Sequence, residues 1–150
     1  MIRKASLNER GLTLIELLAV IVILGVIAMI AIIAVTNVIQ TMKDRAFIGN
    51  AIAMKEAASF YIRQEVTSGN PLPEKITYKT LVEYQFIEPF KDPDTSSYLP
   101  ASENTYVTVK GTNVNAVCLI ADKRSLCSID GIQKPIPFNE LTTDHLTKNE

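Results

Sequence analysis

The sequence predicts an α+β fold, with one long N-terminal α-helix packed against a small antiparallel β-sheet, and three observations predict it. Residues 17–35 are unbroken apolar sequence, and no charged side chain follows until Lys43. From there the pattern passes into helical-period alternation that runs to the stop signal Ser68-Gly69-Asn70-Pro71. Beyond about residue 105, β-branched residues alternate with polar ones in short runs separated by turn signals. At 150 residues, 47% hydrophobic and 21% charged, the chain is about the size of one domain, which argues against a multidomain enzyme and against wholesale disorder. Setting the apolar segment aside leaves roughly 110 residues, enough for one modest core. Residues 1–11 carry Arg3, Lys4 and Arg10 against Glu9, a net +2, while the rest of the chain nets −3. A chain-wide basic surface for nucleic acid is therefore excluded.

The first element is the apolar segment. It is longer than the apolar region of a secretory signal peptide, about 7–15 residues, and no small-residue cleavage site closes it. It passes instead through Thr36, Asn37 and Gln40 into Lys43-Asp44-Arg45. About 20 residues at 1.5 Å each cross a ~30 Å hydrocarbon core, so a membrane-spanning helix is expected. Arg3, Lys4 and Arg10 just before it set the N-terminus on the cytoplasmic side. A simple anchor needs no more than this, yet Glu16 stands between Leu14-Ile15 and Leu17-Leu18. A carboxylate there is costly in lipid unless it faces a partner, and the positive end of the helix dipole offsets only part of that cost.

Glu16 belongs to the run Gly11-Leu12-Thr13-Leu14-Ile15-Glu16-Leu17-Leu18, directly after the basic leader. With these residues the chain resembles the type IV pilin and pseudopilin family, whose precursors carry G-F-T-L-I-E-L-L here. The resemblance covers residues 1–45. It implies that a membrane peptidase cuts between Gly11 and Leu12 and methylates the new amine of Leu12. It also implies that Glu16 pairs with the terminal amine of a neighbouring subunit. An ammonium and a carboxylate are each expensive in lipid and much cheaper together, so the implied pairing is physically sound. Leu12 departs from the usual phenylalanine. The family's A-I-P segment is Ala31-Ile32-Ile33-Ala34 here, and the first proline is Pro71, so this helix has no proline kink. Gly25, Ala28, Ala31 and Ala34 either permit close helix packing or simply face lipid.

The expected organisation is a leader at 1–11, a transmembrane and polymerisation helix at 12–42, an amphipathic continuation at 43–68, and a small globular domain at 69–150 that ends in a polar tail. A helix over residues 13–67 would be roughly 80 Å long. Ile48, Ile52, Ile62 and Val66, with Phe47, Ala51, Met54, Ala58 and Tyr61 beside them, make a broad stripe expected to pack on the domain. Residues 77–86 predict a short helix anchored by Leu81 and Val82, and Pro89, Pro93 and Pro100 punctuate the loop after it. The L-V-E-Y-Q-F-I and K-D-P-D-T segments in this stretch resemble pilin globular regions. Asp92 and Asp94 either offer oxygen ligands to calcium or form an ordinary turn. Strands at 105–110, 114–120 and 125–129 read as a meander. Cys118 and Cys127 are equidistant from a turn at Asp122-Lys123, so they face each other across a hairpin. A disulfide is the natural state there outside the cytoplasm, with two separately buried thiols as the alternative.

Catalysis has little support. His145 is the only histidine, in a polar segment with Thr142, Thr143 and Asp144, and no phosphate-binding, dinucleotide or metalloprotease motif occurs. No metal or cofactor is expected, because two cysteines and one distant histidine do not make a zinc set. The resemblance implies a structural subunit of a type IV pilus or related pseudopilus, of the competence or type II secretion type. Its partners would be like subunits and other pilins, the prepilin peptidase, the assembly machinery, and membrane lipid before assembly. It would sit in the cytoplasmic membrane, N-terminus inside, and later in a filament at the cell surface. The alternative is a membrane-tethered extracytoplasmic binding domain that never polymerises, which has no need of the processing motif. Lys123-Arg124 marks the only local basic spot, either a contact for DNA or a solvated hairpin turn.

Overall fold

The computed structural model describes residues 13–129 and 131–149. In chain order the elements are a long helix α1 (Leu14–Ser68), strand β1 (Lys75–Thr77), a short helix α2 (Tyr78–Glu83), and strands β2 (Tyr106–Lys110), β3 (Asn113–Ile120), β4 (Arg124–Leu126), β5 (Ser128–Ile129), β6 (Ile132–Gln133), β7 (Ile136–Pro137) and β8 (Thr147–Lys148). Short 3-10 turns at Phe138–Glu140 and Thr143–His145 separate β7 from β8. Two compact units divide between Gln40 and Thr41.

Helix α1 stops where the sequence says it should. Gly69 takes the left-handed conformation, with φ of 73°. The Gly69 N–H donates to Val66 O at 3.1 Å and the Asn70 N–H to Glu65 O at 3.0 Å. This double closure satisfies two carbonyls of the last turn, and Pro71 then forbids its continuation. Thr77 caps α2 in the same economical way, its hydroxyl accepting from the Thr80 N–H at 3.2 Å.

In the unit from Thr41 onward, Phe47, Ala51, Met54, Ala58 and Ile62 of α1 are buried and form one core with Val107, Val117, Leu119, Leu126 and Ile136 of the sheet. Their spacing winds them along one side of the helix. The stripe read from the sequence was centred too far round. Ile52 and Val66 are 48% and 51% exposed, because the buried line runs through Phe47 and Met54 rather than through them. Tyr78 and Leu81 of α2 close one end of the core. The Tyr78 hydroxyl accepts from the Phe90 N–H at 2.8 Å, and the two rings stack with centroids 4.8 Å apart.

The main sheet has the order β1-β2-β3-β4-β8 and is antiparallel throughout, with β7 pairing β3. Strands β2, β3 and β4 form the expected meander. Strand β1 was not anticipated. It follows Pro71 and Pro73 and is too short for its period to register. The run expected at 125–129 splits after Leu126, with β4 in the main sheet and β5 in a separate ribbon with β6. Two further two-residue strands, β7 and β8, lie in the C-terminal segment and pair β3 and β4. Ile136 of β7 is fully buried, and β8 covers the outer edge of β4. Asn149 then ties down the chain end, donating from Nδ2 to Ala121 O at 2.7 Å and from its N–H to Lys123 O at 3.0 Å.

Candidate functional site at the head of the long helix

The sequence places the candidate site at Gly11, Leu12 and Glu16. Gly11 and Leu12 lie outside the described residues. Glu16 is described, and its carboxylate is occupied within its own chain. The Thr13 N–H donates to Glu16 Oε2 at 2.7 Å and the Thr13 hydroxyl to the same oxygen at 2.9 Å. In return the Glu16 N–H donates to Thr13 Oγ1 at 3.3 Å. This reciprocal arrangement is a capping box, in which two otherwise unpartnered donors of the first helical turn are satisfied together. Its signature, Thr13-x-x-Glu16 ahead of an apolar run, stood in the sequence. Both bonds end on Oε2, and Oε1 accepts from no described residue. A carboxylate has capacity for such a further donor.

Behind this cap every residue from Leu14 to Ile39 of α1 is exposed, including Leu14 at 85% and Ile30 at 68%. Leu14–Ser68 contains a segment long and apolar enough to cross a membrane. Thr36, a polar residue within the stretch, donates its hydroxyl to Ile33 O at 2.9 Å and so needs no water. A bare apolar surface of this size calls for lipid or for other chains. No Cβ-sized obstacle lies within 4 Å of Gly25, so a close helix approach there is sterically open.

The other candidate residues are structural. Cys118 and Cys127 are joined by a disulfide, with Cα atoms 4.4 Å apart. The β3–β4 register, Leu119 opposite Leu126, brings them directly across from each other. Asp92 and Asp94 form a turn, Asp92 Oδ1 accepting from the Asp94 N–H at 2.9 Å. The Asp94 carboxylate is taken by Arg124, whose NH2 donates to Oδ1 at 2.8 Å and whose Nε bonds Oδ2, and by Lys43 at 3.5 Å. Two cations on one carboxylate leave it a poor calcium ligand. Among the described residues no group of three or more His, Cys, Asp or Glu is placed to hold a metal.

Arg124 corrects the picture of Lys123-Arg124 as a solvated turn. Its side chain is 5% exposed and also pairs with Asp44 of α1. Its guanidinium lies 5.9 Å from the Phe47 ring centroid. The alternation of β4 turns Arg124 inward with Leu126, and two carboxylates meet it there. The His145 ring hydrogen-bonds Thr142, Oγ1 to Nδ1 at 3.4 Å.

Residues 6–32 match a protein family described as the prokaryotic N-terminal methylation motif, which is the type IV pilin and pseudopilin signal. The match spans the leader charge at Arg10, the Gly11-Leu12 bond, Glu16 and most of the apolar segment. No curated protein and no solved structure matches the chain. A pilin-type signal marks a structural protein, and here it runs into a helix able to cross a membrane.

Proposed function

We propose that this chain is a structural subunit of a type IV pilus or related pseudopilus, of the competence or type II secretion type. In this reading the prepilin peptidase removes residues 1–11, Leu12 becomes the methylated first residue, and like subunits assemble through α1. The observation that carries it is Glu16. The methylation-motif match surrounds it, and it heads an apolar helix segment that is exposed from Leu14 to Ile39. The capping box supports a role in pairing. It orients the carboxylate through Oε2 and leaves Oε1 for the ammonium of a neighbour's Leu12. Once that neighbour is bound, lipid contact along the apolar segment is exchanged for contact with other helices, at little cost in burial. Partners are then like subunits and other pilins, the peptidase and the assembly machinery. The chain waits in the cytoplasmic membrane, N-terminus inside, before it enters the filament.

The test is intact-mass measurement of the protein from its native cell, with electron microscopy of sheared surface material. The expected result is loss of the leader, one added methyl on Leu12, and fibres containing the chain. A full-length chain in the membrane with no fibres would sink this function and favour the tethered binding domain.

A further inference from the structure

In the unit from Thr41 onward, a groove of about 750 Å³ lies between the last turns of α1 and the β2–β3 turn at Thr112 and Asn113. Its volume is that of a small-ligand site, and its wall is basic. Lys55 and Arg63 both line it, whereas no Asp or Glu among the described residues does. Neither cation has an ion pair among the described residues. Each instead lies over an aromatic ring, Lys55 Nζ 5.1 Å from the Phe138 centroid and the Arg63 guanidinium 5.5 Å from that of Phe60. A ring steadies a cation without neutralising it, so both charges remain available. The backbone positions of the two are ~12 Å apart along the helix axis, which spreads the positive charge along the groove. That distribution suits an extended anion.

The rest of the lining narrows the chemistry. The Ser59 hydroxyl donates to Lys55 O at 2.9 Å and the Thr67 hydroxyl to Arg63 O at 2.8 Å. Their protons are spent, but each oxygen can still accept. The Thr112 and Asn113 side chains, which hydrogen-bond no described residue, can both donate and accept. Ile62 and Val66 add an apolar strip. A ligand matched to this lining carries negative charge, hydroxyl donors and a C–H face. We propose that the groove binds an acidic glycan, a short chain of uronic-acid sugars. Its carboxylates would meet Lys55 and Arg63, its hydroxyls Ser59 and Thr67, and its ring faces the Ile62–Val66 strip. A lone inorganic anion would leave the hydroxyl oxygens and the strip unused. Single-stranded nucleic acid has the charge but needs rings on which its bases can stack, and no aromatic side chain lines the groove. The negative end of the α1 dipole lies close by, but Arg63 offsets it and the Gly69 and Asn70 N–H groups already close carbonyls of that turn. The site is contained in one chain and is independent of filament assembly.

The experiment is calorimetric titration of the full chain, in a neutral detergent, with trigalacturonate as the probe. Maltotriose serves as the uncharged sugar, sodium sulfate as the simple anion and a short thymidine oligonucleotide as the nucleic acid. Trigalacturonate should bind tightest of the four, and added salt should weaken it. Lys55→Gln and Arg63→Gln should each lower its affinity about fivefold, the effect of losing one partly exposed ion pair. Lys79→Gln, whose lysine pairs with Glu103 outside the groove, should leave the affinity unchanged. Arg63 is exposed, so its variant keeps the core intact and serves even if Lys55→Gln folds poorly. Maltotriose or sulfate binding as tightly as trigalacturonate would overturn the proposal, the first by removing the role of charge and the second by removing that of the sugar. Tighter binding of the oligonucleotide would overturn it in favour of nucleic acid. Trigalacturonate affinity that is undetectable, or unchanged in Arg63→Gln, would overturn the site itself. Fibre formation and leader removal are not read in this test, so the pilin reading stands or falls separately.

Discussion

At Arg124 a single side chain holds three parts of the second unit together. It sits under β4, 5% exposed, and joins Asp44 of α1 to Asp94 of the loop, while Lys43 shares Asp94. Hydrogen bonding from Arg124 is the main reason the Asp94 carboxyl titrates below its usual range, and burial opposes this only in part. Because the folded-state value is lowered, the contribution is fully present above the unfolded value of about 3.9 and is lost as pH falls below it. Arg124→Met keeps much of the apolar stem and leaves two carboxylates short of their partner. We expect a loss of about 3 kcal/mol at neutral pH, toward the lower end for a broken buried pair because Asp44 is partly open to solvent. In denaturant titrations of the full chain in detergent, the gap between variant and wild type should narrow as pH falls below the usual aspartate range and the Asp94 carboxyl gains its proton. A gap that is constant with pH would mean that Arg124 acts through packing alone. Little of this was legible beforehand. A basic pair in a turn signals solvent, and only the register of β4 shows that one of the two points inward.

Among the elements, those with a strong period or a strong stop were legible in the sequence. Helix α1 was expected over 13–67 and runs Leu14–Ser68, because an apolar run long enough to span a membrane passes without a breaker into a stretch of helical period, and Gly69 can adopt the conformation that ends it. The β3–β4 hairpin was legible for a different reason. A turn centred on Asp122-Lys123 fixes which residues oppose, and so it placed Cys118 against Cys127. Two-residue pairings such as β7 and β8 carry no period at all, and no turn signal compensates. The hairpin yields the next prediction. The disulfide closes a short loop, with a sequence separation of 9. The chain-entropy contribution for such a loop is about 2.5 kcal/mol. Replacing both cysteines by serine should lower stability by at least that much, since both positions are also buried in the domain. Thiol labelling should find Cys118 and Cys127 protected until reductant is added. Labelling without reductant would contradict the pairing.

For the molecule as a whole, the decisive quantity is the cost of keeping Glu16 at the head of an apolar helix. Thr13 reduces that cost by capping, and it does so in any single chain. Capping alone would therefore explain why a carboxylate is tolerated, without explaining why glutamate rather than glutamine stands there. Glutamine also completes a capping box, and a neutral amide costs less in lipid than a charge. The charge becomes useful only when a cation arrives, and in the proposed function that cation is the amine of Leu12 on another chain. Glu16→Gln separates the two roles cleanly. Helix capping and membrane insertion should persist or improve, and leader removal should continue because the Gly11-Leu12 bond is untouched. Fibre yield should fall by about tenfold or more, the factor expected when one partner of a desolvated charge pair is lost. Thr13→Val provides the converse, weakening the cap by about 1 kcal/mol while keeping the charge. It should reduce assembly less than Glu16→Gln does. Intact mass reports leader removal, membrane fractionation reports insertion, and sheared fibre reports assembly, all in the same cells. If Glu16→Gln assembles normally while Thr13→Val does not, then the cap and not the charge is what assembly requires, and the paired-amine account is wrong for this chain.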